Sequence, residues 1–527
     1  MAISRRRLLL AAPAVLAVAS ACAPRSRGRT VVNVRDHGAV GDGVADDSAA
    51  ISAAVDSLQP GSTLYFPAGS YRFAELSPQR GAAIRVDGIS DLEFEFDADA
   101  ELLMDNVDPT TNQGTGHGIV IHGPATDITF RNVTIRWADR PTRSAGDGIR
   151  ILGCPTDSDE VPVGWEGPPT PVSNVRLLNC AISRSAQTGA ILIGVSDIEV
   201  SGLRVTDTAA DGLHFNACRR VKVDDYIGTN NGDDGLALVT YFNEQFYFDS
   251  AAETFAFPEL TGWSNADVTA TNIAIHGGQA NGTRIAGANG VSISGFTVIG
   301  KGSGVQVDSA TPESDPKWHY VASRGVRLSA LELSECNIGI QVLARPPAAS
   351  IDARFTDFDI EVADALIRNS TIWGVRVESL TDQPVTGLRV SDCTVEAISL
   401  EGGNGGVGLG YTRDIGLGNM TVSHGLPATV VSVEHSTNLR IGRLAMMFNG
   451  SLEPGQPLAP CAKFFDSDGV IDSVDANWPD APPEWTPILI SQADNGCTPD
   501  LPLPPLPVEI GELSVKPPSI LRPISTC

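Results

Sequence analysis

A five-residue pattern that recurs between positions 116 and 374 constrains the fold of this chain more than any other feature. In each copy a small or polar residue precedes a glycine, and an apolar–any–apolar triplet follows. The residues before the glycine in the clearest copies are His117, Asp147, Thr188, Asp211, Asp234, Asn281 and Ser303. Their glycines lie 30, 41, 23, 23, 47 and 22 residues apart, so the shortest unit is 22 or 23 residues. A fixed period of this length predicts a solenoid, in which each repeat packs only against its neighbours.

The segments between these glycines have the composition of β-strands. Residues 127–136 and 291–300 are rich in Val and Ile, alternate apolar with polar residues, and are bounded by Asn, Asp, Ser or Gly. Two or three strands per repeat predict a single-stranded parallel β-helix whose equivalent positions stack about 4.8 Å apart. We therefore expect one long all-β domain over residues 31–450, followed by an irregular, Pro-rich C-terminal cover over residues 451–527.

The N-terminal residues carry the pattern of an export signal. A run of arginines at positions 5–7 precedes an apolar stretch, as in twin-arginine signals. The sequence Ala19-Ser20-Ala21-Cys22 resembles a lipoprotein cleavage box, which would acylate Cys22. Ordinary cleavage with an incidental Cys22 is the alternative. We expect a signal peptide over residues 1–21, a linker over 22–30, and a secreted protein or cell-surface lipoprotein.

Net charge and cysteine spacing limit the binding partners, cofactors and disulfides that we expect. A net charge of -26 argues against nucleic acid and anionic membrane surfaces, so we expect membrane contact only through a lipid anchor. No Cys/His spacing resembles a zinc site, and neither a metal nor another cofactor is expected. Cysteines at equivalent rung positions are predicted to be buried free thiols, namely Cys180, Cys336 and Cys393. Disulfide candidates lie in the tail, namely Cys461, Cys497 and Cys527. The oligomeric state, monomer or trimer, stays open.

The segment 32–71 predicts how the solenoid begins. Asp46 or Asp47 can cap an amphipathic helix near residues 46–58, and such a helix can cover the open end of a solenoid. With its Gly-Asp-Gly, Asp-Asp and Tyr-Phe-Pro-Ala-Gly elements, the segment resembles the opening of the pectate-lyase-3 group of right-handed parallel β-helix proteins, related to family 28 glycoside hydrolases. The resemblance implies a right-handed helix with an N-terminal capping helix. It does not specify the reaction, because the group includes hydrolases, lyases, epimerases and phage tailspikes.

The chemistry is predicted in the middle repeats. Asp211 and Asp234 are one 23-residue repeat apart, with Asp233 adjacent, so their carboxyls should lie side by side. Closely spaced like charges raise one pKa and leave one protonated and one ionised carboxyl near neutral pH. Acid–base cleavage of a glycosidic bond needs that combination. The alternative is structural, because Asp before Gly is common in turns.

These residues also resemble a known catalytic pattern. Asp211-Gly212 followed by Gly232-Asp233-Asp234-Gly235 is similar to the acidic motifs of polygalacturonase-type family 28 enzymes. The resemblance implies that Asp233 is the general acid and that Asp211 and Asp234 activate water for an inverting displacement. Two departures concern the substrate: Asn281 replaces a histidine, and the Arg-x-Lys pair that meets the uronate falls on Gln306 and Asp308. Polygalacturonate is therefore disfavoured, although Arg284 could partly substitute.

Insertions flank the predicted site. Residues 241–265 hold eight aromatic side chains, and residues 308–320 add Trp318. Aromatic faces stack on sugar rings, and long loops on rigid scaffolds often carry function, although about half of these rings could be core. The predicted substrate-binding residues are Asp147, His214, Asn281, Arg284, Gln306, Tyr241 and Trp318. Glu244 is an alternative acid.

Together these features predict an exported carbohydrate-active enzyme with a polysaccharide or oligosaccharide substrate. A metal-independent glycoside hydrolase is the first hypothesis. A polysaccharide lyase or epimerase, an intramolecular transglycosidase on the same scaffold, and a non-catalytic glycan-binding surface protein are the alternatives. A lyase or epimerase would need a base, cations for a uronate and often Ca²⁺.

Overall fold

The computed structural model describes residues 28–526 except 79, 158, 316, 398–404, 426–427, 452–457 and 493–506. The predicted signal peptide, Cys22, most of the linker, Cys497 and Cys527 lie outside the described residues. Within the described part, no helix is long and apolar enough to cross a membrane.

Two long parallel sheets form the body of the chain, a right-handed parallel β-helix. The 21-stranded sheet consists of Thr30–Asn33, Ser62–Phe66, Gly69–Phe73, Leu92–Phe96, Ala100–Met104, Ala125–Arg131, Thr134–Trp137, Val172–Leu178, Ala181–Ser183, Val195–Ser201, Arg204–Thr206, Arg219–Asn231, Ala266–Gly278, Asn289–Ile299, Arg324–Ser334, Asp357–Arg368, Thr386–Ala397, Gly416–His424, Leu439–Phe448, Gly469–Asn477 and Val508–Lys516. The 15-stranded sheet consists of Ala82–Asp87, His117–His122, Ile149–Leu152, Ala190–Ile193, Leu213–Asn216, Leu236–Val239, Asn281–Ala286, Ser303–Ala310, Ile338–Arg345, Trp373–Ser379, Val407–Gly410, Val431–Glu434, Ala462–Phe465, Ile488–Ser491 and Ile524–Thr526.

Two small sheets lie outside this repeat. One pairs Gln113–Thr115 with Thr142–Ala145. The other is formed by Tyr241–Phe242, Tyr247–Asp249 and Thr254–Phe257, so the aromatic insertion has a fold of its own. Two 3₁₀ turns occupy Val34–His37 and Ala353–Phe355.

Side-chain alternation places the core between the two long sheets. In the strand Leu213–Asn216, Leu213 and Phe215 are fully buried in the main apolar core, whereas His214 points to the opposite, outer face. This strand pairs in parallel with the strands before and after it, so outward residues of successive repeats form rows along the helix. The glycine at the strand entrance is required: a Cβ on Gly212 would lie 2.1 Å from the hydroxyl of Tyr226.

The predicted capping helix is present over Ser48–Asp56 and buries Ile51, Ala54 and Val55. Its N-terminus is held by Asp46, whose carboxylate accepts from the backbone N–H of Ser48 at 3.1 Å. Asp47 has another role, because its carboxylate accepts from the backbone of the preceding loop, including Val40 N–H at 2.7 Å.

The C-terminal part is more regular than the sequence analysis predicts. Five strands beyond residue 460, from Ala462–Phe465 to Ile524–Thr526, extend both long sheets in register. The disulfide prediction is wrong for Cys461, which is a buried free thiol that donates to the carbonyl of Pro487 at 3.1 Å. The predicted burial of Cys180, Cys336 and Cys393 as free thiols is confirmed. All three belong to the main apolar core, where each packs as a small apolar side chain.

Candidate active site

The residues that precede the repeated glycines form a column along the edge of the 15-stranded sheet. The N–H of Gly212 donates to the carbonyl of Asp234, and the N–H of Gly235 donates to that of Asn281, each at 2.9 Å. The side chains continue this ladder: the Asp211 carboxylate accepts from Asp234 N–H at 3.0 Å, and the Asp234 carboxylate accepts from Asn281 N–H at 3.1 Å. The column therefore follows directly from the repeat.

Asp211, Asp233 and Asp234 form one carboxylate cluster, which we call the acid trio. Each contributes an oxygen, and these oxygens lie within 4.8 Å of one another. Asp211 and Asp234 are buried, whereas the Asp233 side chain is 33% exposed. The predicted proximity is thus present in the structure, and Asp233 is the member that a ligand can reach most directly.

Asp234 has the most strongly altered proton affinity of the trio. Burial raises its pKa, and the charge of Asp211 raises it further, to about 7. The charge of Arg284 and the side-chain hydrogen bond from Asn281, at 2.8 Å, act in the opposite direction without cancelling the effect. Because the carboxyls share one site, the trio as a unit retains a proton near neutral pH.

His214 lies beside Asp211 on the same strand. Its Nδ1 forms a 2.7 Å hydrogen bond with the Asp211 side chain. The Nε2 atom is buried, and the described residues offer it no hydrogen-bond partner. His214 therefore orients Asp211, and its position three residues after the aspartate is the signal that points to this contact.

Among the described residues, three cationic side chains lie beside the trio, and only Arg284 was predicted from the sequence. Arg143 donates to the Asp233 carboxylate at 2.7 Å and to Gln187 at 3.3 Å. Lys301 is buried and donates to the backbone carbonyls of Asp233, at 2.7 Å, and of Gln279. Burial lowers the pKa of Lys301 to about 8, although the nearby carboxylates oppose that shift.

Neither new cation belongs to the repeated pattern. Arg143 comes from the small sheet beside the solenoid, and no feature of the sequence connects it with Asp233. Lys301 stands in the turn just before the Ser303 repeat, so its place next to the column was the available signal.

Arg284 is held by Asp308, the aspartate at the lysine position of the family 28 pattern. The Asp308 carboxylate accepts from Arg284 at 3.0 and 2.6 Å and from Arg345 at 3.2 Å, and Asp308 has no exposed surface. Asp308 stands at the position of the lysine that meets a uronate in the family 28 pattern, but here two arginines neutralise it in the interior. Gln306, the outward neighbour of Arg284 on the next strand, is half-buried.

Asp147 is not brought to the trio. Two strand spacings, about 9.6 Å, separate its strand from that of Asp211. Burial alone would raise its pKa, but the contact with His117 at 3.2 Å and the charge of Arg150 at 2.9 Å hold the pKa well below its usual range. Asp147 is an ionised, fully engaged structural carboxylate in this conformation.

The aromatic insertion serves mainly as packing. Five of its eight rings are buried, and the remaining three are half-buried, among them Tyr241. Tyr241 stacks on Trp318 with ring centroids 5.6 Å apart, and Trp318 itself is 45% exposed. Burial raises the pKa of Tyr241, and the charges of the nearby trio raise it further. Glu244 is exposed and lies 3.7 Å from Arg354, so the structure gives no support to it as an alternative acid.

Comparisons with known proteins give relatives for parts of the chain. Residues 31–84 match the family model described as "Rhamnogalacturonase A/epimerase, pectate lyase-like". An alpha-1,3-galactosidase A of Peterkaempfera griseoplana is 30% identical over 165 residues, which are 27% of this chain and 23% of the relative. A mannuronan C5-epimerase of Azotobacter vinelandii is 47% identical over 60 residues, 11% of each chain. The matches thus span less than a quarter of these relatives.

A solved structure supports the fold along most of the chain. The tailspike protein of E. coli bacteriophage HK620, solved with a pentasaccharide, superposes with a TM-score of 0.55 at 10% identity and covers 86% of this chain and 77% of its own. The chain is thus a right-handed parallel β-helix protein with a pectate-lyase-like N-terminal segment, which confirms the resemblance at that level. The relatives found are carbohydrate-active β-helix proteins.

Proposed function

We propose that this protein is a glycoside hydrolase that cleaves a polysaccharide with the acid trio. The observation that carries the proposal is the cluster of three carboxyls within 4.8 Å, one of which has a pKa raised to about 7. Such a cluster supplies a proton donor and a carboxylate base at the same pH, and glycosidic cleavage requires both. Buried like charges are costly to maintain, so a purely structural role explains the cluster poorly.

The trio can run the reaction with its atoms and charges balanced. The shared proton passes through Asp233, the exposed member, to the glycosidic oxygen as the bond to the anomeric carbon breaks. A water held by Asp211 and Asp234 attacks that carbon and leaves its proton on the trio, which restores the starting state. Two carboxylate oxygens no more than 4.8 Å apart can both accept from one water at about 2.8 Å. His214 keeps Asp211 oriented through the 2.7 Å contact.

The cations near the trio favour a neutral glycan. Arg143 is engaged by Asp233, Lys301 by two carbonyls, and Arg284 by Asp308. Each positive charge beside the trio already has a partner, so a uronate would have to share or displace an existing contact to bind one of them. The relative named as an alpha-1,3-galactosidase makes an α-1,3-linked galactoside the first substrate to test.

The arginine pattern at positions 5–7 further supports export, with Cys22 as the site of lipid attachment.

The test is product release from neutral and acidic polysaccharides by the wild type and by Asp233→Asn. We expect turnover of a neutral glycan that a chelator leaves unchanged, and a loss of roughly 10²–10⁴-fold in kcat for the variant. Asp359→Asn is the matched control, because Asp359 is also 33% exposed and pairs with an arginine, but on the 21-stranded sheet. Equal activity in wild type and Asp233→Asn would contradict the proposal, and binding without turnover would leave a glycan-binding scaffold.

An epimerase or lyase is the second candidate. The trio oxygens have the spacing of a divalent-cation site, and mannuronan C5-epimerases are among the relatives. Calcium binds such carboxylate oxygens at about 2.3–2.6 Å, which a gap of this size allows. Activity on a uronate polymer that requires calcium, with an unsaturated or epimerised product, would establish this candidate in place of the hydrolase.

A further inference from the structure

The outer face of the 15-stranded sheet is closed on the N-terminal side of the trio. On the three strands Ile149–Leu152, Ala190–Ile193 and Leu213–Asn216, the outward row consists of Arg150, Ile191 and His214, and each is at most 8% exposed. The cover is a layer of aromatic side chains that packs on Leu152, Ile191, Ile193 and Ala217. We call this cover, residues 241–265 with Val163 and Trp165, the aromatic wall.

The aromatic wall is anchored rather than loosely apposed. Asn216 exchanges two hydrogen bonds with the backbone of Phe255, at 2.7 and 3.2 Å. Glu253 forms an ion pair with the buried Arg150. Phe248 N–H donates to the carbonyl of Val163 at 2.8 Å, and Trp165 packs against the Phe248 ring at 4.8 Å. Opening the face here would break all of these contacts, so a glycan chain cannot continue past Asp211 in this direction.

The C-terminal side of the trio is different. The same outward row passes through the buried Ala237 and the partly buried Arg284. It then continues as Gln306, Gln341 and Arg376 on successive strands, and these three are partly exposed. The side chain of Gln306 has no hydrogen-bond partner among the described residues, while that of Gln341 accepts only from the Ser303 hydroxyl, at 3.2 Å. Uncharged amides at one-strand intervals suit the hydroxyls of a neutral sugar chain that runs along the helix.

This open row ends at an aromatic side chain. Trp373 opens the strand that carries Arg376, and its ring lies against Gly408 of the next strand, where a Cβ would be 3.0 Å away. Four strand spacings, about 19 Å, separate the Asp234 strand from the Trp373 strand. The Arg376 guanidinium lies over the same ring, 5.4 Å from its centroid. The indole, set against Gly408 and Arg376, provides an aromatic edge for a sugar ring several units from the trio.

We propose that the protein acts on chain ends. One end of a neutral glycan is stopped by the aromatic wall beside Asp211, and the remainder lies over Gln306 and Gln341 toward Trp373, which is a distal stacking site. This inference rests on the proposed function and adds to it an exo mode of attack and a specificity-determining residue. The asymmetry of burial along a single row of outward residues carries it.

Product analysis tests the exo mode. On the neutral polysaccharide that turns over, or on α-1,3-linked galacto-oligosaccharides of two to eight units, early products are expected to be a single small sugar, with slow loss of polymer viscosity. A ladder of intermediate oligomers at early times would overturn the inference while leaving the hydrolase intact. If no glycan were bound or cleaved, the proposed hydrolase function would be contradicted, and the exo mode, which depends on it, would be contradicted as well.

Binding by Asp233→Asn as a function of chain length tests Trp373. Trp373→Ala in that background is expected to weaken binding of a six-unit oligosaccharide roughly 3- to 10-fold and to leave a two-unit sugar unaffected. Tyr411→Ala is the matched control, because Tyr411 is a half-buried ring that follows the neighbouring strand Val407–Gly410 at its opposite end. No loss, or an equal loss for both lengths, would overturn the distal site. Thermal unfolding of each variant excludes misfolding as the cause.

Discussion

Asp147 and Asp234 start the same Asp-Gly pattern and occupy the same column, yet their surroundings are electrostatically opposite. Asp147 contacts His117 and Arg150, and its pKa lies well below the usual range. Asp234 is equally buried, but it faces Asp211, and its pKa rises to about 7. One repeated motif thus yields a structural anion in the first case and a proton-holding carboxyl in the second.

The difference arises three residues further along the chain. The outward residue on the same strand is Arg150 for Asp147, His214 for Asp211 and Ala237 for Asp234. Without a same-strand partner, burial dominates the carboxyl, and the next carboxylate in the column adds to the shift. The motif therefore fixes the position of the carboxyl, and the residue three positions later determines which of its protonation states is stable.

The largest effect expected from this comparison is on turnover. Asp234→Asn keeps the shape of the side chain but removes the titrating oxygen, so kcat should fall by about 10²–10⁴-fold. Steady-state kinetics at matched folded fraction measure this. The corresponding Asp147→Asn variant should lose far less, and similar losses at the two positions would end the distinction between them.

The next effect is on stability. Arg150→Ala leaves the Asp147 and Glu253 carboxylates without their shared cation, and breaking a buried pair costs about 3–5 kcal/mol. Thermal unfolding should therefore show a clearly lower Tm. Arg176→Ala is the control, because its ion pair with Glu199 is half-exposed and such pairs contribute at most about 1 kcal/mol. An Arg150→Ala protein as stable as the control would contradict the account of the Asp147 region.

A smaller effect concerns the pH dependence of stability. The folded pKa of Asp234 is raised, so the folded state binds its proton more tightly than the unfolded chain. The resulting stability is complete below about pH 4 and is lost as the pH rises toward 7. Asp234→Asn should remove this loss, with a Tm above that of the wild type by about 1–3 °C at pH 8 and no such advantage at pH 4. A constant difference across this range would show that Asp234 does not titrate with a raised pKa.

The smallest effect is on the pH profile of activity. Lys301 is protonated below about pH 8, and its charge favours loss of the proton from the trio. Lys301→Met should therefore move the alkaline limb of kcat upward by roughly 0.5–1 pH unit. Lys317→Met is the control, since Lys317 is exposed. A lower kcat with an unmoved limb would assign Lys301 a purely structural role.

Particular residues show how far the sequence could predict the site. The 23-residue interval placed Asp211 and Asp234 on adjacent strands, because parallel strands stack equivalent positions at a constant spacing. Arg143 could not be predicted, since it reaches Asp233 from 90 positions away through a separate small sheet. The burial of Asp308 could not be predicted for a related reason: the register puts it on an outward position, but Arg284 and Arg345 pair with its carboxylate there.

The sequence by itself determined the solenoid, the column of residues before the glycines and the adjacency of the three aspartates. In a repeat protein these features can be predicted from the sequence, because each follows from the spacing between one strand and the next. The tertiary structure alone decided which carboxyl keeps its proton, which cations are already engaged and which side of the trio is open. Those properties depend on burial and on charges supplied by insertions, and no periodicity along the chain encodes where an insertion packs.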